Sequence, residues 1–172
     1  MFEYRILFGT NFLTIVSKLE FQTKLLEHTS TLLKNFSYEL NHREVGSSSF
    51  NFNNSQVNLP IHVKDEFVEF LKVNLKYIGI ENFEPVIDNP EDFLEINFEE
   101  KIVKKLKKIT INSDYFRNLF ILLSLKSFLR EQNQNEFLLF INNVYLCSGI
   151  NSWNVKFKIE AQTYEENVKD EA

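Results

Sequence analysis

Cysteine, glycine, proline and alanine are all scarce in this chain of 172 residues: one Cys, four Gly, three Pro and two Ala. A single cysteine excludes an intramolecular disulfide and fits a reducing compartment. Four scattered glycines cannot build a loop that cradles phosphates. No stretch approaches the roughly 18 apolar residues of a membrane-spanning helix. The opening MFEYRILFGTNF places acid and base early and offers no small-residue cleavage site, so a signal peptide is not expected. Positive charge is in deficit as well, with 19 Lys and Arg against 24 Asp and Glu, a net charge of −5. That balance argues against nucleic acid or an anionic membrane as partner. The expected setting is intracellular, cytoplasmic or nuclear.

Phenylalanine and asparagine are abundant, at 18 and 20 residues. Both have AT-rich codons, as do Ile and Lys, so the excess reads as genome composition. A prion-like tract would need a low-complexity run, and only Phe50 to Asn54 approaches one. With 44% hydrophobic and 25% charged residues the chain has ordinary globular composition, and its length can bury a core without disulfides or metal. One interaction domain is expected over residues 1–163, followed by an acidic, frayed tail over 164–172.

The expected class is α+β: a small sheet of an N-terminal hairpin plus one strand, packed with amphipathic helices, and a C-terminal hairpin. Glu3 to Gly9 and Phe12 to Ser17 read as two strands around a turn at Gly9-Thr10-Asn11. A rival helix from Asn11 to Phe36 also fits the apolar spacing. Leu25 to Phe36 is helical on either reading, with Leu25, Leu26, Leu32, Leu33 and Phe36 inward. Glu39 to Ser55, with Gly46-Ser47-Ser48-Ser49, has no sustained period and reads as an exposed loop. Gln56 to Leu59 reads as a strand stopped by Pro60. In the helix that follows, Val63, Phe67, Phe70, Leu71, Leu75 and Ile78 share one face. A turn follows Gly79, and Pro85 to Asp92 is a turn cluster. Phe98 to Ile109 reads as a helix with Phe98, Ile102, Leu106 and Ile109 inward. Asn112-Ser113-Asp114 supplies capping side chains for a third helix, Tyr115 to Glu131, apolar on most sides. Phe137 to Cys147 and Trp153 to Ile159 read as strands joined by a turn at Ser148-Gly149-Ile150-Asn151.

No catalytic residue, cofactor site or metal site emerges from the spacing. His28, His42 and His62 lie far apart, and no HExxH, CxxC or HxH spacing occurs, so they read as surface or satisfied histidines. Cys147 ends an apolar strand and reads as a small buried residue. Asp88, Glu91 and Asp92 lack the alternate acids and central glycine of a calcium loop and read as a solvated turn. Lys101, Lys104, Lys105 and Lys108 would form a helical stripe, with Lys107 beside it. An acidic partner could use it, but a wet helix face is the plainer account. The candidate partner-binding set is Phe116, Phe120 and Leu123 of the third helix with Tyr145 and Trp153, residue types enriched in interfaces. Plain core is the alternative.

In the order of its elements the chain resembles the BTB/POZ fold, in particular its Skp1 and elongin C branch. Ser30-Thr31-Leu32-Leu33-Lys34-Asn35-Phe36 is similar to the family's small-x-hydrophobic-hydrophobic step. The polar run Glu39 to Ser55 stands where that family has a variable loop. Val57-Asn58-Leu59-Pro60-Ile61-His62-Val63, with Phe67, Phe70, Leu71 and Tyr77, resembles its third strand and following helix. Phe116 to Leu129 is similar in spacing to its last helix, with Ser124 and Ser127 at the small positions. The His-Lys pair of the first helix is missing, the stretch after Gly79 is long, and strands replace helices from Phe137 onward. The resemblance implies a non-catalytic adaptor without a cofactor, bridging a cullin-type scaffold and a receptor protein. The helix Val63 to Ile78 would lie toward the scaffold and Tyr115 to Leu129 toward the receptor, with self-pairing also compatible. The competing reading is a small acidic inhibitor or immunity-type protein of viral, plasmid or bacterial origin.

Overall fold

The computed structural model describes residues 1–75, 83–84, 89–114, 116–142, 144–149, 153–159 and 162–168. Its backbone is α+β, with all strand pairing antiparallel. Two compact units divide the chain: residues 1–33 with 121–172, and residues 34–120. The boundaries fall within α1 (Thr23–Glu39) and α4 (Arg117–Glu131).

The first unit is built on a four-stranded sheet. Strands β1 (Phe2–Phe8) and β2 (Asn11–Ser17) form the expected N-terminal hairpin, closed where Gly9 takes φ +54°, a value glycine adopts without a Cβ penalty. The rival helix from Asn11 is thereby excluded. β2 continues the sheet against β8 (Phe137–Ile141), which pairs with β9 (Val144–Ser148). Leu13 and Ile15 alternate inward, as do Phe137, Leu139 and Ile141, and all five are fully buried. Each contributes about 1.5–3 kcal/mol of transfer free energy. Leu33, Leu125 and Leu129 are fully buried in the same unit.

Two sequence expectations for this unit change. Phe137 to Cys147 is a hairpin and not one strand: Ile141 pairs with Val144, so the chain reverses at Asn142, which takes φ +53°. Asparagine tolerates that region better than most residues. Residues 164–168 of the tail expected to fray pair instead, because β11 (Gln162–Val168) lies against β10 (Trp153–Ile159).

In the second unit the segment Glu39 to Ser55, expected as an exposed loop, carries the short helix α2 (Ser48–Asn54). Ser47 caps it by accepting from Phe50 N–H at 3.0 Å. The buried Glu39 carboxylate accepts from Ser48 N–H at 2.9 Å and from the Ser48 hydroxyl at 2.6 Å. Ser47, Ser48 and Ser49 are buried with Phe52. A serine run has no hydrophobic period, so its packing was invisible to a search for one.

The proline-bounded strand also shifts. Pro60 begins β3 (Pro60–His62), which fits the tolerance of proline at the start of an edge strand. Gln56 to Leu59 precede it as a turn in which Asn58 takes φ +65°. β3 does not join the N-terminal hairpin. It pairs with β6 (Ile102–Lys105), which pairs in turn with β5 (Leu94–Asn97). The helix expected over Phe98 to Ile109 is therefore a hairpin loop plus β6. Asn97 closes that loop, its side-chain oxygen accepting from the N–H of Glu99 and Glu100, and Lys101 takes φ +56°. Val103 and Lys105 point inward while Ile102 and Lys104 alternate outward, so strand pairing overrides the helix-forming composition. A second pair joins β4 (Phe83–Glu84) to β7 (Thr110–Ile111).

The expected face is buried at Phe67, Phe70 and Leu71 of helix α3 (Asp65–Val73) and at Val63 just ahead of it, while Leu75 is half-buried. Phe52, Phe67, Phe70, Phe120 and Phe36 form a chain of rings in this unit with centroids 5.8, 6.2, 5.4 and 5.5 Å apart along it. Tyr77, Ile78, the turn after Gly79, Pro85 to Asp88, Tyr115, the Ile150-Asn151 turn and residues 169–172 lie outside the described residues. Among the described residues no helix is long and apolar enough to cross a membrane.

Candidate functional site

Within the second unit, the segment after α1 meets the segment before α4. Arg117 N–H donates to the Ser113 carbonyl at 2.9 Å, the backbone bond that opens α4. The buried Ser113 hydroxyl donates to the Leu40 carbonyl, tying the start of α4 to the end of α1. Asp114 then lies among three basic side chains. Arg43 Nη2 donates to Asp114 Oδ2 at 2.8 Å, Arg117 Nη1 is 3.9 Å from Oδ1, and His42 Nδ1 is 4.0 Å from the same oxygen.

One carboxylate cannot satisfy two guanidiniums, which carry five N–H donors each. The corner keeps a surplus of positive charge in a protein that is acidic as a whole. Arg43 is largely exposed, whereas Arg117 and His42 are mostly buried, so its donors range from the surface inward. The buried His42 Nδ1 beside Asp114 makes no hydrogen bond. Buried polar groups are ordinarily paired, so this atom marks a place where a ligand oxygen can supply the partner. The chemistry this arrangement suits is recognition of a phosphate or another oxyanion by paired guanidinium donors.

The sequence-derived candidates are distributed differently. Phe120 is buried in the ring chain of the second unit, edge-on to both Phe36 and Phe70. Phe116 is half-buried just ahead of α4, and its carbonyl accepts from Phe120 N–H. Leu123 is exposed on α4. Tyr145 and Trp153 come together in the first unit, where Trp153 packs with Leu138, Cys147 and Val16. His28 and His62 are exposed and do not meet His42. Among the described residues no three His, Cys, Asp or Glu side chains cluster as metal ligands would.

The lysine stripe does not exist as a helical face. Lys104 pairs with Glu95 and Lys101 with Asp65 at 2.7 Å, while Lys107 stands 4.5 Å over the Phe93 ring. Lys105 is buried on the other face of β6, donating to the carbonyls of Asn53 at 3.2 Å and Ile109 at 3.4 Å. Desolvation, with the charge of Lys108 second, lowers its pKa from 10.5. Two cavities of about 350 and 470 Å³ flank β3, one beside Glu95 and Lys104, the other beside Asn51 and His62. Neither is lined by an arginine.

Reading the sequence missed the Arg43–Asp114–Arg117 corner because its members are 71 positions apart along the chain. The one local signal was the capping run Asn112-Ser113-Asp114 with Arg117 three residues on.

No protein-family model and no curated protein matches the sequence. Solved structures do match the fold. The flavin transferase ApbE from Vibrio cholerae superposes with a TM-score of 0.69 at 12% identity, over 98% of this chain and 68% of that one. The apo flavinyl transferase ApbE of Pseudomonas stutzeri gives 0.64 at 12% identity, over 91% and 63%. The ApbE protein of Thermotoga maritima gives 0.62 at 10% identity, over 96% and 75%. The chain thus has an ApbE-like fold, not the BTB/POZ fold of Skp1 and elongin C. The short motifs behind that resemblance record helix amphipathicity and turn chemistry, which many folds share. They do not encode which strands pair, and here the N-terminal hairpin pairs with residues 137–141, C-terminal to every one of those motifs. With the BTB fold goes the case for a non-catalytic adaptor between a cullin-type scaffold and a receptor. The relatives in fold are enzymes, which conflicts with the expectation of no catalysis, and nothing supports the inhibitor or immunity reading.

Proposed function

We propose that this chain binds a flavin nucleotide and acts as a flavin transferase. The phosphate of the nucleotide is held by Arg43 and Arg117. The observation that carries this reading is the likeness to flavin transferases over nearly the whole chain, at TM-scores of 0.62 to 0.69. The corner at Asp114 supports it independently, because surplus guanidinium donors are what a phosphate requires. In this reading Asp114 holds the two arginines in place before the ligand arrives, and His42 adds a donor to the same cluster. An arginine is suited to the task because its charge persists at every physiological pH and its fork matches two oxygens at once.

Equilibrium titration of the protein with FAD, FMN and riboflavin, followed by flavin fluorescence, tests the reading. FAD and FMN are expected to bind, and riboflavin, which lacks the phosphate, to bind at least about tenfold more weakly. Arg43→Ala with Arg117→Ala should abolish the difference between FMN and riboflavin. Failure of all three flavins to bind refutes the proposal. Equal binding of FMN and riboflavin refutes the assignment of the phosphate to this corner.

A further inference from the structure

We propose that β1 is a self-pairing edge: two copies of the chain associate through antiparallel β1–β1 contact about a two-fold axis at Tyr4. This inference does not depend on the flavin reading.

β1 is the outer strand of the sheet β1-β2-β8-β9, and among the described residues it pairs with β2 alone. The outer side of an edge strand presents unpaired N–H and C=O groups at alternate residues, a template for another strand. Proteins commonly blunt such an edge with proline, charged side chains of one sign (lysine above all), a bulge or shortness. β1 has no proline, glycine or lysine in its seven residues, FEYRILF, its two charges are of opposite sign, and its register with β2 is unbroken from Phe2↔Ser17 to Phe8↔Asn11.

The occupant is indicated by charge. Glu3 and Arg5 flank Tyr4 on the outer face of the sheet, exposed at 54% and 70% of their side chains, with Arg5 Nε 3.0 Å from Glu3 Oε1. In an antiparallel pair centred on Tyr4, Glu3 of one copy stands opposite Arg5 of the other, and the reverse pair repeats across the axis. Phe2, which is 39% exposed, then faces the half-buried Ile6 of the second copy on the inner face. Centring one residue later would place Arg5 against Arg5, a like-charge pair that destabilises a sheet. The sequence of β1 is therefore complementary to itself in one register. Beside the edge, Leu7 and Phe12 form a cross-strand pair at 54% and 53% exposure, apolar surface of the kind an interface covers.

Sedimentation equilibrium of the full chain, with circular dichroism to confirm folding, tests the inference. The wild-type protein should show a concentration-dependent dimer. Arg5→Glu alone, or Glu3→Arg alone, replaces each opposite-charge pair with a like-charge pair and should weaken the dimer by about tenfold or more. Glu3→Arg combined with Arg5→Glu restores complementarity and should restore dimerisation. A wild-type monomer at about 1 mM, the weak end of specific association, overturns the inference. A dimer indifferent to the single reversals overturns it too, as does a folded double reversal that stays monomeric. Should a single variant fail to fold, the double reversal decides.

Discussion

Replacing Phe52 by alanine tests the packing of the segment that the sequence presents as a loop. Phe52 lies on α2 and is fully buried, its ring 5.8 Å from that of Phe67, with Lys105 Nζ 5.3 Å from its centroid. Removing a buried phenylalanine side chain costs about 3–5 kcal/mol from lost transfer energy plus the residual cavity. The ammonium contact adds about 0.5–2 kcal/mol, the larger value applying where the cation is desolvated, as Lys105 is. A loss of about 5–7 kcal/mol is expected for Phe52→Ala. Phe52→Leu keeps most of the volume and should lose about 1–2 kcal/mol. Urea unfolding of both variants, followed by far-ultraviolet dichroism, measures the loss. A double-mutant cycle of Phe52→Leu with Lys105→Met isolates the ring–ammonium coupling, expected at about 0.5–2 kcal/mol. A loss below about 1 kcal/mol for Phe52→Ala would mean that α2 is surface-bound and weakly held. The argument for a packed 39–55 segment would then fail.

Three further outcomes follow from the second unit. Glu39→Ala leaves the buried Ser48 N–H without its acceptor and should cost about 2–3 kcal/mol in chemical unfolding. Glu39→Gln keeps an acceptor and should lose clearly less; equal losses would refute the capping role. Lys105 has a folded-state pKa below its unfolded value, so the unfolded chain binds more protons between the two. Stability relative to Lys105→Met should therefore rise as pH increases from neutrality toward 10.5, and a flat or falling difference would contradict the burial of the ammonium. Asn53 clamps Ile111 at both ends, donating to its carbonyl at 2.9 Å and accepting from its N–H at 2.7 Å. Asn53→Ala should cost about 2 kcal/mol and accelerate amide exchange at Ile111; unchanged protection there would show that the clamp is dispensable.

Local pattern specifies structure in this chain where one period dominates. The face of α3 was legible because Phe67, Phe70 and Leu71 repeat at helical steps, and each is buried. The N-terminal hairpin was legible because β-branched and aromatic runs flank a glycine at the turn. The segment 98–109 was misleading for the opposite reason. Its glutamates and lysines favour a helix, and four apolar residues happen to fall at helical spacing. The turn chemistry of Asn97 and the pairing of Val103 with Ile61 and Ile96 outweigh that preference. The candidate site was hidden further still: Arg43 and Asp114 carry no joint signal until the fold closes the distance between them.

The sequence by itself determined the α+β class, the inner face of α3 and the absence of any spacing signature for metal or nucleophile. These depend on neighbours within a few residues, where periodicity and turn chemistry act. Tertiary structure alone decided that residues 137–141 complete the N-terminal sheet, that a serine-rich run is a capped and buried helix, and that two arginines converge on Asp114. Those outcomes depend on contacts between distant segments, whose free energy appears only when the whole chain has collapsed and cannot be written in local pattern.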